Sequence, residues 1–197
     1  MQLFISQYLK LFFVLTPFFV ISMFLALTNE YADSKKKRLA FKVTLAVIVI
    51  SFSIYLFGKY IFLIFGITLD AFRIGAGALL FLSAAALVQG GTGGKEEQFH
   101  AGDIAVVPLA LPITVGPATT GVLLVMGAEM ESIASKLLAG SALLCAILTV
   151  GLLLYAAGHI ERWLGRTGLS ILSKLTGLIL ASIAAQIMLT GIKGMLG

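Results

Sequence analysis

The chain has little charge. Asp, Glu, Lys and Arg make up only 12% of its 197 residues, while 59% of the residues are hydrophobic. A soluble domain carries about 25% charged and about 45–50% apolar residues. This chain therefore lacks the charge to cover the surface of a soluble globule. Its composition excludes an ordinary soluble domain, a disordered chain and a nucleic-acid-binding protein, and it predicts an integral membrane protein.

Residues that usually carry catalysis or bind metals are scarce. The one cysteine, Cys145, lies in an apolar run, and the two histidines, His100 and His159, lie in separate loop regions. One cysteine excludes a disulfide within the chain, and a histidine-based metal site would need both histidines with carboxylates. No Asp or Glu lies deep in a predicted span, and there is no phosphate-binding loop. We therefore expect no catalytic residue, no metal site and no cofactor, and so no enzyme.

Long uncharged runs are abundant instead. Crossing the hydrocarbon core takes about 20 helical residues, and six runs between charged residues are long enough. They predict an all-α membrane protein with six transmembrane helices, at residues 9–28, 40–64, 71–90, 104–126, 135–157 and 173–194. The glycine-rich, charged segment 90–103 is predicted to be a flexible hinge that divides the chain nearly in half.

Lys and Arg are distributed unevenly between the two sides of these six helices. The loops after the first, third and fifth helices hold nine of them, and the opposite side holds five. Cytoplasmic loops carry the excess of Lys and Arg. We expect the protein to span the cytoplasmic (inner) membrane, with those three loops in the cytoplasm and both termini outside it.

The two halves of the sequence resemble each other. The third and sixth helices align at an offset of 100 residues, which pairs Gly77 with Gly177, and the first and fourth helices align when Pro17 is paired with Pro112. With three helices in each half, the second half enters the membrane upside down. The pattern predicts a single transmembrane domain, 1–197, built as a 3+3 inverted repeat of residues 1–94 and 103–197, a plan that recurs in secondary transporters.

Prolines interrupt the first and fourth helices near mid-span. A proline removes one N–H and disfavours helical conformation in the preceding residue, so Pro17 should free the carbonyl of Phe13. In the fourth helix, Gly116 followed by Pro117 predicts a break with Pro117 opening a new half-helix. Its free N–H groups, around Ala118, Thr119 and Thr120, should face a central cavity. The alternative is that these prolines only kink the helices.

Such breaks are suited to a small zwitterion, because helix N-termini attract a carboxylate and freed carbonyls accept hydrogen bonds from an ammonium group. Three polar residues within the helices are further candidates to line this cavity: Ser22, Thr114 and Gln186. A membrane Ser or Thr is more often bonded to its own backbone or to a neighbouring helix, and hydrogen bonding between helices explains Gln186 equally well.

Three stretches resemble the MarC family of six-span membrane proteins, which includes small neutral amino acid transporters. They are PLALPITVGPATT (108–120), FGITLDAFRIGAGALLFLSA (65–84) and LTGLILASIAAQIMLTGI (175–192). Many members have Asn-Pro in the first helix with a second proline five positions later, where this chain has Thr16 and Ser22. The resemblance implies discontinuous first and fourth helices around a central site. The residues it carries over are Thr16, Pro17, Pro112, Gly116, Pro117, Thr119 and Thr120.

The sequence therefore predicts a secondary transporter that moves a small neutral amino acid, of glycine or alanine size, by alternating access. Its expected partners are this substrate and the lipid bilayer, with no nucleic acid. The sequence allows either H⁺ or Na⁺ as a coupling ion. It also allows association of several copies of the chain into a homo-oligomer. The alternatives are a non-transporting accessory protein of the membrane and an exporter of another small metabolite.

Overall fold

The computed structural model describes residues 2–90, 105–130 and 132–196, without the side chains of residues 59, 105–108 and 112. Nearly all of the predicted hinge, 90–103, lies outside the described residues. Within the described part, every element of regular secondary structure is a helix. The elements are α1 (Gln2–Val14), α2 (Pro17–Leu27), α3 (Asp33–Phe65), α4 (Leu69–Gln89), a π-helix (Ala105–Thr114), α5 (Pro117–Glu129), α6 (Ile133–Tyr155) and α7 (Ala157–Leu196).

Five stretches of the described residues are long and apolar enough to cross a membrane. They are Gln2–Leu27, Asp33–Gly58, Leu69–Gln89, Ile133–Tyr155 and Ala157–Leu196. The chain is thus an all-helical, multi-pass membrane protein. The predicted fourth span is occupied by the π-helix and α5, which have 10 and 13 residues and are each shorter than one bilayer crossing.

The predicted helix starts at residues 9, 40 and 173 are wrong. The helices begin at Gln2, Asp33 and Ala157. Charged residues beyond the hydrocarbon core continue α3 and α7, whereas the added residues of α1, 2–8, are uncharged. Asp33 favours the positive end of α3, and the Lys and Arg residues that follow are good helix formers. In α7 the charged stretch is set off by a sharp bend at Gly165, whose φ of 66° suits glycine.

α4 packs most extensively against α7, and glycines make this contact close. A Cβ atom added to Gly77 would lie 3.0 Å from the carbonyl oxygen of Ala184, and one added to Gly177 would lie 2.9 Å from that of Ala84. The contact is reciprocal: each helix places its glycine against an alanine carbonyl of the other. Small residues of this kind allow membrane helices to approach closely.

Two clusters of buried apolar side chains surround the helix breaks. The larger unites α1, α2, α3, the π-helix, α5 and α6, whereas the smaller joins the end of α1 to α4, α5 and α7. Small residues are prominent in the smaller cluster, among them Ala84, Ala118 and Ala184. Both breaks lie where these clusters meet.

Candidate functional site

Two helix breaks form the core of the site. α1 ends at Val14 and α2 begins at Pro17, while the π-helix ends at Thr114 and α5 begins at Pro117. Both new helices start with a proline, and the two prolines lie 100 positions apart, the offset that also relates Gly77 to Gly177. Pro112, which the sequence paired with Pro17, lies inside the π-helix and does not open a helix, whereas Pro117 does.

The carbonyl groups left without a helical partner differ from the predicted one. The N–H of Thr16 donates to the Phe13 carbonyl at 2.9 Å, so this carbonyl is paired despite Pro17. Among the described residues, no backbone N–H donates to the carbonyl of Val14 or of Thr114. Thr16 has a left-handed conformation (φ 47°, ψ 56°), which interrupts the helical path between Val14 and Phe18. The N–H of Phe18 therefore makes no helical hydrogen bond to the Val14 carbonyl.

Thr119 connects the two breaks. Its hydroxyl lies 3.3 Å from the Val14 carbonyl oxygen and 3.4 Å from the Thr114 carbonyl oxygen. All three residues are buried, with 5% of Thr119, 2% of Val14 and 1% of Thr114 exposed. One side chain of α5 thereby contacts the last carbonyl of α1 and the last carbonyl of the π-helix.

The first turns of α2 and α5 hold the donors of the site. In the part of the chain that the structure describes, the N–H groups of Phe18, Phe19, Ala118 and Thr119 have no hydrogen-bond acceptor. The N–H of Thr120, which was expected to be free, donates to the Gly116 carbonyl at 2.9 Å. N–H groups without an acceptor and carbonyls without a backbone donor therefore occur together at both breaks.

A cavity of about 270 Å³ opens beside the first break. Phe19 and Ser22 of α2 line it near the break, and Gly90 lines it at the end of α4. Glu161 and Arg166, which flank the bend of α7, also line the cavity, and their side chains pair at 3.2 Å. The cavity thus extends from the first turn of α2 to the end of the bundle where α4 finishes.

The opposite end of the bundle is closed by charged residues. At the start of α4, Arg73 pairs with Asp70, as their spacing in the sequence suggested, and its Nη2 lies 2.8 Å from Oε1 of Glu129 at the end of α5. The pocket lined by Lys10 and Glu129 has a volume of only about 10 Å³. Because the 21 residues of α4 extend about 30 Å, this charged cluster lies about that far from the Gly90 end of the cavity.

The structure brings most, but not all, of the predicted site residues to the breaks. Thr16 and Gly116 are half-buried, Pro17 is buried and Pro117 is exposed at the start of α5. Ser22 lines the cavity, although its hydroxyl donates to the Phe18 carbonyl of its own helix at 2.9 Å.

The remaining predicted residues are placed less favourably. The hydroxyl of Thr114 donates to the Leu109 carbonyl at 2.7 Å, which leaves its own carbonyl for the site. Thr120 is half-buried, and the side chain of Pro112 lies outside the described part. Gln186 is exposed on α7 and lines neither of the two pockets described above, so the structure does not bring it to the breaks.

The sequence reasoning missed three features: the Val14 carbonyl, the Glu161–Arg166 pair and Glu129 as a second partner of Arg73. A pair five residues apart around a glycine is a weak signal. In the sequence, Arg166 counts only towards topology, and Glu161 is only a carboxylate near the end of a span. The contact between Arg73 and Glu129 joins residues 56 positions apart, so no local pattern could indicate it.

Comparison with known proteins identifies the family of the chain. The family model for the MarC family of integral membrane proteins matches residues 1–196. The chain is 34% identical to the UPF0056 membrane protein MJ1677 of Methanocaldococcus jannaschii, over all of this chain and 98% of that protein. It is also 34% identical to the UPF0056 membrane protein PYRAB13050 of Pyrococcus abyssi, with the same coverage.

A more distant relative is the UPF0056 membrane protein YvbG of Bacillus subtilis, 28% identical over 97% of this chain and 94% of that protein. No solved structure matches the chain significantly. The match of the family model and the full-length similarity to these relatives have one consequence: the chain belongs to the MarC family of integral membrane proteins.

Proposed function

We propose that this protein is a secondary transporter that moves a small neutral amino acid, of glycine or alanine size, across the cytoplasmic membrane by alternating access. The observation that carries the proposal is the meeting of two helix breaks at Thr119, with N–H groups that lack an acceptor and carbonyls that lack a backbone donor on both sides. Irregular backbone at membrane depth is stable only when it is buried in protein or lines a wet cavity.

In this proposal the π-helix and α5 together form one more span, the fourth in chain order, which brings the total to six. The two halves of the chain then form a 3+3 inverted repeat. Two observations support the repeat. The breaks at Pro17 and Pro117 have the same offset as Gly77 and Gly177. The contacts Gly77–Ala184 and Gly177–Ala84 exchange equivalent positions, as a two-fold axis between α4 and α7 would require.

The substrate class follows from the chemistry of the breaks. The N-termini of α2 and α5 suit a carboxylate, and the carbonyls of Val14 and Thr114 suit an ammonium group. Gly116 and Ala118 carry no side chain or only a methyl group, which favours a small substrate. A zwitterion also carries no net charge into the hydrocarbon region, where charge is costly.

The asymmetry of the bundle fits one state of an alternating-access cycle. A cavity lies beside α2 at one end, and ion pairs with apolar packing close the other. The Lys and Arg count assigns the open end to the cytoplasm and both termini to the outside. The C-terminal ends of helices α2 and α4 lie at the open end, so the proposed state is open towards the cytoplasm.

Uptake by purified protein in proteoliposomes tests the proposal. We expect exchange of labelled glycine or alanine across the membrane, and we expect Gly116→Leu to abolish it, because the bulk would fill the approach to the first turn of α5. Gly75→Leu is the matched control, since a Cβ atom at this exposed position has no neighbour within 4 Å.

Counterflow with unlabelled substrate inside the vesicles detects transport regardless of its physiological direction. A protein that exchanges none of the small neutral amino acids, and whose melting temperature none of them raises, would instead be an accessory protein. Normal exchange by Gly116→Leu would refute the role of the break.

A further inference from the structure

We propose that the oxygen atoms joined at the two breaks form a Na⁺ site, whose ligands are the carbonyls of Val14 and Thr114 and the hydroxyl of Thr119. This inference rests on the proposed function, because it names the coupling ion of the same site. Of the two coupling ions that the sequence allows, H⁺ and Na⁺, it selects Na⁺.

The first argument is that these oxygens converge without satisfying one another. Neither carbonyl accepts a hydrogen bond from any backbone N–H of the described residues, and the Thr119 hydroxyl is their common neighbour. A hydroxyl has one proton and can donate fully to only one of the two oxygens. At least one buried carbonyl is therefore left without a donor, although buried carbonyls are nearly always paired.

The second argument comes from distance. The other buried Thr and Ser hydroxyls with a hydrogen bond in the described part of the chain lie 2.7–2.9 Å from their acceptors: Thr28, Thr114, Ser173 and Thr176. The contacts of Thr119 are 3.3 and 3.4 Å, too long for a good O–H···O hydrogen bond. The local packing holds these oxygens farther apart than hydrogen bonding alone would.

The same distances suit ligands around a cation. Na⁺ is close to Ca²⁺ in radius, and oxygen ligands at the about 2.3–2.6 Å typical of a cation of that size lie about 3.3–3.7 Å apart along an octahedral edge. The smaller Mg²⁺, with ligands at about 2.0–2.1 Å, would need them about 2.9 Å apart. K⁺ is larger and would need a wider spacing.

The charge of the ligands selects a monovalent ion. All three oxygens are neutral, whereas Ca²⁺ sites in proteins rely on carboxylates. Neither a carbonyl nor a threonine hydroxyl changes its protonation near neutral pH, so this set cannot take up a proton in place of the ion. Unwound backbone carbonyls of broken helices are also the general means by which transporters coordinate Na⁺.

The site would couple the ion to the substrate through proximity. Thr119 lies in the first turn of α5, whose unpaired N–H groups are the proposed anchor of the substrate carboxylate. The substrate carboxylate and water are then the available sources of the remaining ligands. Na⁺ would also hold the ends of α1 and the π-helix together, which links its occupancy to the geometry of both breaks.

Equilibrium binding of radiolabelled Na⁺ to the purified protein in detergent tests the inference without any transport. We expect saturable binding that K⁺ does not reduce, and we expect glycine to strengthen it. Thr119→Val preserves the side-chain volume and removes one ligand, so Na⁺ affinity should fall at least about tenfold, as it does on loss of weaker, outer-shell support at metal sites.

Two variants separate loss of a ligand from loss of folding. Thr119→Ser retains the hydroxyl and should bind Na⁺ nearly as well as the original protein. Thr176→Val is the matched control, because Thr176 is equally buried and donates only to Leu172 of its own helix. It should leave Na⁺ affinity unchanged.

The outcomes also distinguish this inference from the proposed function. No saturable Na⁺ binding, or equal binding by Thr119→Val, overturns the Na⁺ site. Exchange of amino acids that is independent of Na⁺ overturns the site but leaves the transporter intact. Saturable Na⁺ binding that requires the Thr119 hydroxyl, in a protein that moves no amino acid, supports the site and overturns the transporter.

Discussion

The half-helices α2 and α5 occupy matching positions in the two halves of the chain, yet they differ at both ends. α2 starts from a threonine in the left-handed region and runs beside an open cavity. α5 starts from a glycine in ordinary extended conformation and ends in an ion pair at the closed end. The two half-helices therefore have an accessible and a closed environment, an asymmetry that the proposed alternating-access cycle would use.

The residue types at the two breaks are the reverse of what their conformations favour. Thr16 has a φ of 47°, a region that β-branched residues rarely adopt, whereas Gly116 has φ −82° and ψ 179°, which any residue can adopt. Strain is thus localised at the first break. At Gly116 the backbone conformation does not require glycine.

The largest expected effect on stability tests the symmetry of the α4–α7 contact. We expect Gly77→Val and Gly177→Val each to lower the free energy of unfolding by about 1–3 kcal/mol, because each added side chain meets the opposite helix. Thermal unfolding in detergent measures both. Markedly unequal losses would break the equivalence of the two halves, and Gly75→Val serves as an exposed control.

A smaller effect is expected from the ion pair that distinguishes α5 from α2. Glu129→Gln should destabilise the protein by about 1–2 kcal/mol, since Arg73 keeps Asp70 but loses its second charged partner. It should also shift labelling of a cysteine introduced at Gln7, in a Cys145→Ser background, towards greater accessibility. Unchanged labelling would show that this pair does not hold the closed end.

A stabilising substitution is expected at the first break. Thr16→Asn should raise stability by roughly 1 kcal/mol, because Asn tolerates the left-handed region that costs other residues about 1–2 kcal/mol. The melting temperature of the variant measures this gain. A decrease would mean that the Thr16 side chain makes a contribution larger than its backbone cost.

The smallest effect is expected at the second break. Gly116→Ala should change the free energy of unfolding by less than about 0.5 kcal/mol, because its backbone conformation is open to alanine. A loss as large as that of Gly77→Val would contradict the contrast between the two breaks. Together with Gly116→Leu, this variant separates the effect of bulk on transport from any effect on folding.

The sequence alone determined the class of the protein, the approximate places of its helices and the two prolines that interrupt them. These features depend on properties that act locally: apolar length, the missing N–H of proline and the low charge of the chain. The family resemblance was confirmed over residues 1–196. The pairing of Asp70 with Arg73 is of the same local kind, since residues three apart are neighbours on one helix.

Tertiary structure decided what local patterns cannot encode. Thr119 meets a carbonyl 105 residues away, and Arg73 meets Glu129 across 56 residues. Pro112 and Pro117 are both plausible partners of Pro17 in sequence, and only the backbone shows that Pro117 is the one that opens a helix. Gln186, polar in an apolar run, is exposed because packing of α7 against α4 sets which face is buried. A side chain's neighbours depend on the whole fold, whereas its helix depends mainly on nearby residues.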